Sequence, residues 1–70
     1  MDRQIKKLSK LCEHWANHNE SHKESFLKWK DIAQEKELSS VVENLNKAIE
    51  MMDKCNDYLL QANKDLEQLE

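Results

Sequence analysis

The segment HWANHNESH, residues 14 to 22, spaces three histidines four residues apart. On a helix, positions four apart lie one above the other, so two imidazoles there can reach one ion. His14 with His18, and His18 with His22, form such pairs, and Cys55 would add a thiolate from elsewhere in the chain. A mixed imidazole and thiolate set suits zinc, whereas imidazoles alone suit nickel or copper. The same residues allow a second chemistry. A histidine held neutral in an apolar interior resists protonation, so acid would open the fold around it. A third, a Cys55–His18 nucleophile, fits poorly, because a helical bundle offers no cleft and no oxyanion donors. On that ground the chain is read as non-enzymatic.

The elements that must carry these residues are helices. One apolar line reads Ile5, Leu8, Cys12, Trp15, Asn19, His22, Phe26, Trp29, Ala33. Its steps alternate three and four, the a and d positions of a heptad repeat. The g line adds Leu11, His18, Ser25 and Ile32. A helix from about Asp2 to Glu35 fits, about 50 Å long at the usual rise. The second line reads Val42, Leu45, Ile49, Met52, Asn56, Leu59, Asn63, Leu66, with Val41, Ala48, Cys55, Ala62 and Leu69 at g. Ser40 as N-cap, with Glu43 completing a capping box, predicts a second helix over about 40–68. The polar link of about 36–39 is short enough to make the helices antiparallel neighbours. A break within Ala16 to Ser21, giving three helices, ranks second because the heptad keeps phase through it.

Seventy residues with 36% charged and 39% hydrophobic content, and neither Gly nor Pro, make one small all-α domain. The net charge of −3 and the lack of a large basic cluster disfavour nucleic acid. No apolar run spans a bilayer and no signal-peptide core is visible, so a cytoplasmic protein is expected. Two cysteines define no disulfide framework. Residues 1–37 carry 8 basic and 7 acidic groups, and residues 38–70 carry 3 and 7. Arg3, Lys6, Lys7 and Lys10 would lie beside Asp65, Glu67 and Glu70 in a hairpin, compensating charges that oppose each helix dipole.

Folding the chain about Glu37 pairs residues whose numbers add to roughly 74 or 75. That predicts one polar layer in the core: His18, Asn19, His22, Cys55 and Asn56. Such a layer fixes register and oligomeric state at some cost in stability, and this plain reading ranks ahead of metal binding. No acidic residue occupies a core position, with Glu20 and Glu24 outside, so the pattern is not that of a di-iron bundle. His14, at a c position, is expected to be half exposed. Trp15 and Trp29 are expected in the core, and Cys12 and Cys55 as free buried thiols, with sulfurs about 10 Å apart. Along one side lie Leu11, Ile32, Val41, Ala48, Ala62 and Leu69, joined by Met51 and Tyr58. That stripe is wider than a two-helix seam needs, which predicts a homodimer forming a four-helix bundle.

His14, Trp15, His18, Asn19 and His22 form the pattern His-Trp-x-x-His-Asn-x-x-His. In this the chain resembles short uncharacterised prokaryotic proteins, many archaeal, that carry the pattern at the start of a helical hairpin. The resemblance covers most of the chain and implies a helical hairpin, with no activity attached. The expectation is an antiparallel two-helix hairpin acting as a homodimeric or partner-binding module without cofactor. The alternative is a zinc or nickel protein using His18 and His22, with His14 and Cys55 as further ligands.

Overall fold

The computed structural model describes residues 2–69. Helix α1 spans Arg3–Glu35 and helix α2 spans Ser39–Glu67. They pack along their whole length as an antiparallel hairpin measuring 53 × 14 × 11 Å. Asp2 caps α1, its carboxylate accepting from the Gln4 amide at 2.7 Å. This satisfies one orphan donor and sets a negative charge against the positive end of the dipole. Helix α1 runs unbroken through Ala16–Ser21. Asn19 there bonds across to α2 instead of turning back on its own backbone, so its weak helix propensity is offset.

The turn is tighter than expected. Leu38 N–H donates to Ala33 O at 3.0 Å and Glu37 N–H to Gln34 O at 3.1 Å. This is the Schellman pattern, with Glu37 left-handed at φ 59° where glycine is the usual occupant. Between the helices lie Lys36, Glu37 and, last, Leu38. Its carbonyl accepts from Val42 N–H, and it serves as N-cap with no side-chain bond. Ser40 is therefore not the cap and lies inside α2. The tight turn lets α2 begin before Ser40 is reached.

The seam uses the expected line on α2 but a rotated one on α1. On α2, Asn56 and Asn63 are buried, and Val42, Leu45, Ile49, Met52, Leu59 and Leu66 are half-buried. On α1 the inward residues are the a line and the e line: Cys12, Ala16 and Ala33 buried, with Ser9, Asn19, Lys23, Phe26 and Lys30 half-buried. The d residues Leu8, Trp15, His22 and Trp29 are exposed, which corrects their assignment to the core. Two causes combine. Ser9 and Ala16 at e are small and let the helices approach closely there. An α-helix also drifts about 20° per heptad against a strict seven-residue repeat, so the d line turns outward along the chain. The d line is outward from its start, 42% exposed at both Leu8 and Trp15 and 58% at Trp29.

Candidate functional site

A polar network crosses the middle of the seam. Asn19 Nδ2 donates to Asn56 Oδ1 at 3.0 Å, and lies 3.6 Å from Cys55 Sγ. Asn56 Nδ2 in turn donates to Glu20 Oε1 at 3.1 Å. Glu20 lies 3.8 Å from Lys23 Nζ, which donates to Asp53 Oδ1 at 2.6 Å. These are the ion pairs among the described residues. The hydrogen bond to Asp53 holds the Lys23 ammonium above its usual range. Partial burial opposes this, and the Asp53 and Glu20 charges add to it. A second crossing joins Ser9 Oγ to Asn63 Oδ1. Both buried asparagines of α2 are thus satisfied from α1, as buried amides must be. Ser9, Lys23 and Asp53 were not singled out from the sequence, and Glu20 was placed on the outer face. Three of them sit on α1 positions b and e, which faced solvent in the a/d frame. The terminal charges Arg3, Lys6, Lys7, Lys10, Asp65 and Glu67 form no ion pairs among the described residues, and Glu70 lies outside them.

Of the expected polar layer, Asn19, Cys55 and Asn56 come together. His18 and His22 do not join them; both are exposed, on the d and g lines that α1 turns outward. Cys55 is exposed and Cys12 buried, and both are free, so only Cys12 fits the expected buried thiol. The three histidines form a ladder. His14 stacks on His18 at 6.1 Å, and His22 meets His18 edge-on at 4.5 Å between ring centres. The Nε2 atoms of His18 and His22 are 3.0 Å apart. Among the described residues, no three His, Cys, Asp or Glu side chains converge to hold a metal. The expected set of His14, His18, His22 and Cys55 is therefore not assembled within one hairpin.

The hairpin has two unlike sides. One carries the charged network of Glu20, Lys23 and Asp53. The other is the apolar flank. Here the outward d and g lines of α1 join the g line of α2, so that Trp29, Ile32, Leu38, Val41 and Leu45 line one open groove of about 290 Å³. Of the expected dimer face, Val41, Met51, Tyr58 and Leu69 are exposed, and Leu11, Ile32, Ala48 and Ala62 half-buried. Leu8, Trp15 and Trp29 belong to the same flank and are exposed.

The sequence profile of a family described as a domain of unknown function, DUF8180, matches residues 8–66. The chain belongs to the DUF8180 family. The match takes in the histidine ladder, the asparagine network and both helices of the DUF8180 hairpin. No curated protein and no solved structure matches the chain. Among the described residues, no helix is long and apolar enough to cross a membrane.

Proposed function

We propose that this chain is a non-enzymatic self-assembly module, in which two hairpins pair through their apolar flanks into a four-helix bundle that serves as an interaction scaffold. One observation carries the reading: the hairpin alone has almost no core. Among the described residues the buried ones are Cys12, Ala16, Ala33, Asn56 and Asn63, and no large side chain is fully enclosed. Meanwhile Trp15, Trp29, Val41 and Leu69 stand in water on one side. A chain of this size is marginal without association, a metal or a disulfide.

Surface area points the same way. A compact protein of 8.4 kDa exposes about 4,600 Å². This hairpin exposes 5692 Å², an excess of about 1,100 Å², against about 800 Å² hidden per partner in a standard interface. The free cysteines suit a reducing cytoplasm, where thiols persist. Acrylamide quenching of tryptophan fluorescence tests the pairing. Trp15 and Trp29 are expected to be shielded at high protein concentration and to become quenchable on dilution. Quenching independent of concentration, at a level typical of open indoles, would overturn it.

A further inference from the structure

The outer d and g lines of α1, exposed except at the half-buried Leu11 and Ile32, have an approximate symmetry about one point. About the point midway between His18 and His22, Leu8 matches Ile32 and Leu11 matches Trp29. Closer in, the large Trp15 matches the small Ser25, and His18 matches His22. The g line of α2 shows the same symmetry: exposed Val41 matches exposed Leu69 and half-buried Ala48 matches half-buried Ala62, with exposed Cys55 at the centre. The two centres lie at one height, because Asn19 of α1 reaches Cys55 of α2 at 3.6 Å. A surface that repeats itself on reversal is what an isologous two-fold interface requires, since each residue i facing j also places j against i.

We infer that a second copy docks antiparallel across this flank, on a two-fold axis passing between His18 and His22, and so completes a four-imidazole site for a divalent transition metal. The inference rests on the self-association proposed above and adds its geometry and its ligand. The axis sets α1 over the partner's α1 and α2 over the partner's α2. His18 then meets the partner's His22, and His22 the partner's His18. Trp15 fills the space that the partner's Ser25 leaves.

One hairpin supplies two nitrogens at 3.0 Å. Two imidazoles on one tetrahedral zinc stand about 3.3 Å apart, given zinc–nitrogen bonds near 2.0–2.1 Å. A small rotation of either ring covers that difference. Two such pairs make a closed tetrahedral set, whereas one chain gathers no three-ligand cluster among its described residues. The flanking indoles would keep the site dry, and no acidic side chain on this line competes as ligand. His14, on the neighbouring line, lies outside the set.

Two measurements on the untagged full chain test the geometry and the ligand separately. A short bis-maleimide is expected to link wild type and Cys12→Ser into covalent dimers through Cys55, and to leave Cys55→Ser unlinked. A dimer by mass that Cys55 does not link would overturn the axis. Zinc titration by calorimetry is expected to give one ion per two chains, with cobalt showing the visible band of a tetrahedral site. His18→Ala or His22→Ala removes two ligands per site and should weaken binding at least about 100-fold, while His14→Ala leaves it unchanged. Helix content by circular dichroism confirms that the variants fold. No zinc binding, one ion per chain, or equal loss with His14→Ala would overturn the metal site. A dimer that persists in chelator without binding zinc defeats this inference and leaves the apolar pairing standing. A dimer that exists only with zinc keeps the site and defeats the apolar reading.

Discussion

Trp29→Ala should dissociate the pair while leaving the hairpin folded. In the lone hairpin, Trp29 keeps 58% of its surface in water. For a side chain of about 250 Å² this is about 145 Å², which would contribute about 3.6 kcal/mol per copy if covered, at about 25 cal/mol per Å². A symmetric dimer loses the contribution twice. Only part of an interfacial area term survives as affinity, because ordering and imperfect contacts offset it. If one third survives, the pair loses about 2.4 kcal/mol, a roughly 50-fold rise in dissociation constant. The variant should keep its helix content, since alanine is the best helix former and the indole makes little of the seam. Sedimentation velocity over a hundredfold concentration range, with circular dichroism alongside, measures both effects. A dissociation constant unchanged within threefold, with helicity intact, would refute the assignment of Trp29 to the interface. Loss of helicity at concentrations where the variant still pairs would refute the exposed placement of the d line.

The other expectations concern the hairpin itself. Asn56→Leu strands the Asn19 amide and should cost about 1–3 kcal/mol in urea unfolding, while Asn19→Leu/Asn56→Leu should recover most of it, because replacing both partners by apolar groups is close to neutral. If the double variant is the less stable, the network is not a register device. Glu37→Gly should stabilise by about 0.5–1 kcal/mol, since a non-glycine residue in the left-handed region costs about 1–2 kcal/mol and glycine's extra chain entropy offsets part. A lower melting temperature for that variant would contradict the Schellman turn. The raised Lys23 ammonium contributes stability that is full below its unfolded value, near pH 10.4, and is lost as pH rises through the folded one. Wild type should therefore lose more stability than Lys23→Met as pH is raised through and above the ordinary lysine range in urea titrations. Parallel losses would remove the Lys23–Asp53 bond from the account.

Helix number, the antiparallel hairpin and its register are legible in the sequence because apolar period and link length act locally. The pairing of Asn19 with Asn56 follows from register alone. What does not follow is which line of α1 faces α2. In α1 the a, d and g lines are all rich in apolar residues, so hydrophobicity cannot choose among them. The choice falls to side-chain size, and Ser9 and Ala16 decide it by letting the backbones come close. That one rotation moves Trp15, Trp29, His18 and His22 from interior to surface. It also brings Lys23 to the seam, where its stem packs and its head finds Asp53. The turn was hidden for a related reason. Serine is the preferred cap, but a Schellman turn needs its hydrophobic residue one place after the left-handed one, and Leu38 meets that need.

The central claim is that a second copy covers the apolar flank. Sedimentation equilibrium of the untagged chain at tens of micromolar, in chelator and at neutral pH, measures it directly. The expected mass is twice the 8.4 kDa of one chain, falling toward the single-chain mass for Trp29→Ala. A wild-type chain that stays at 8.4 kDa across that range, with its helices intact, would contradict it.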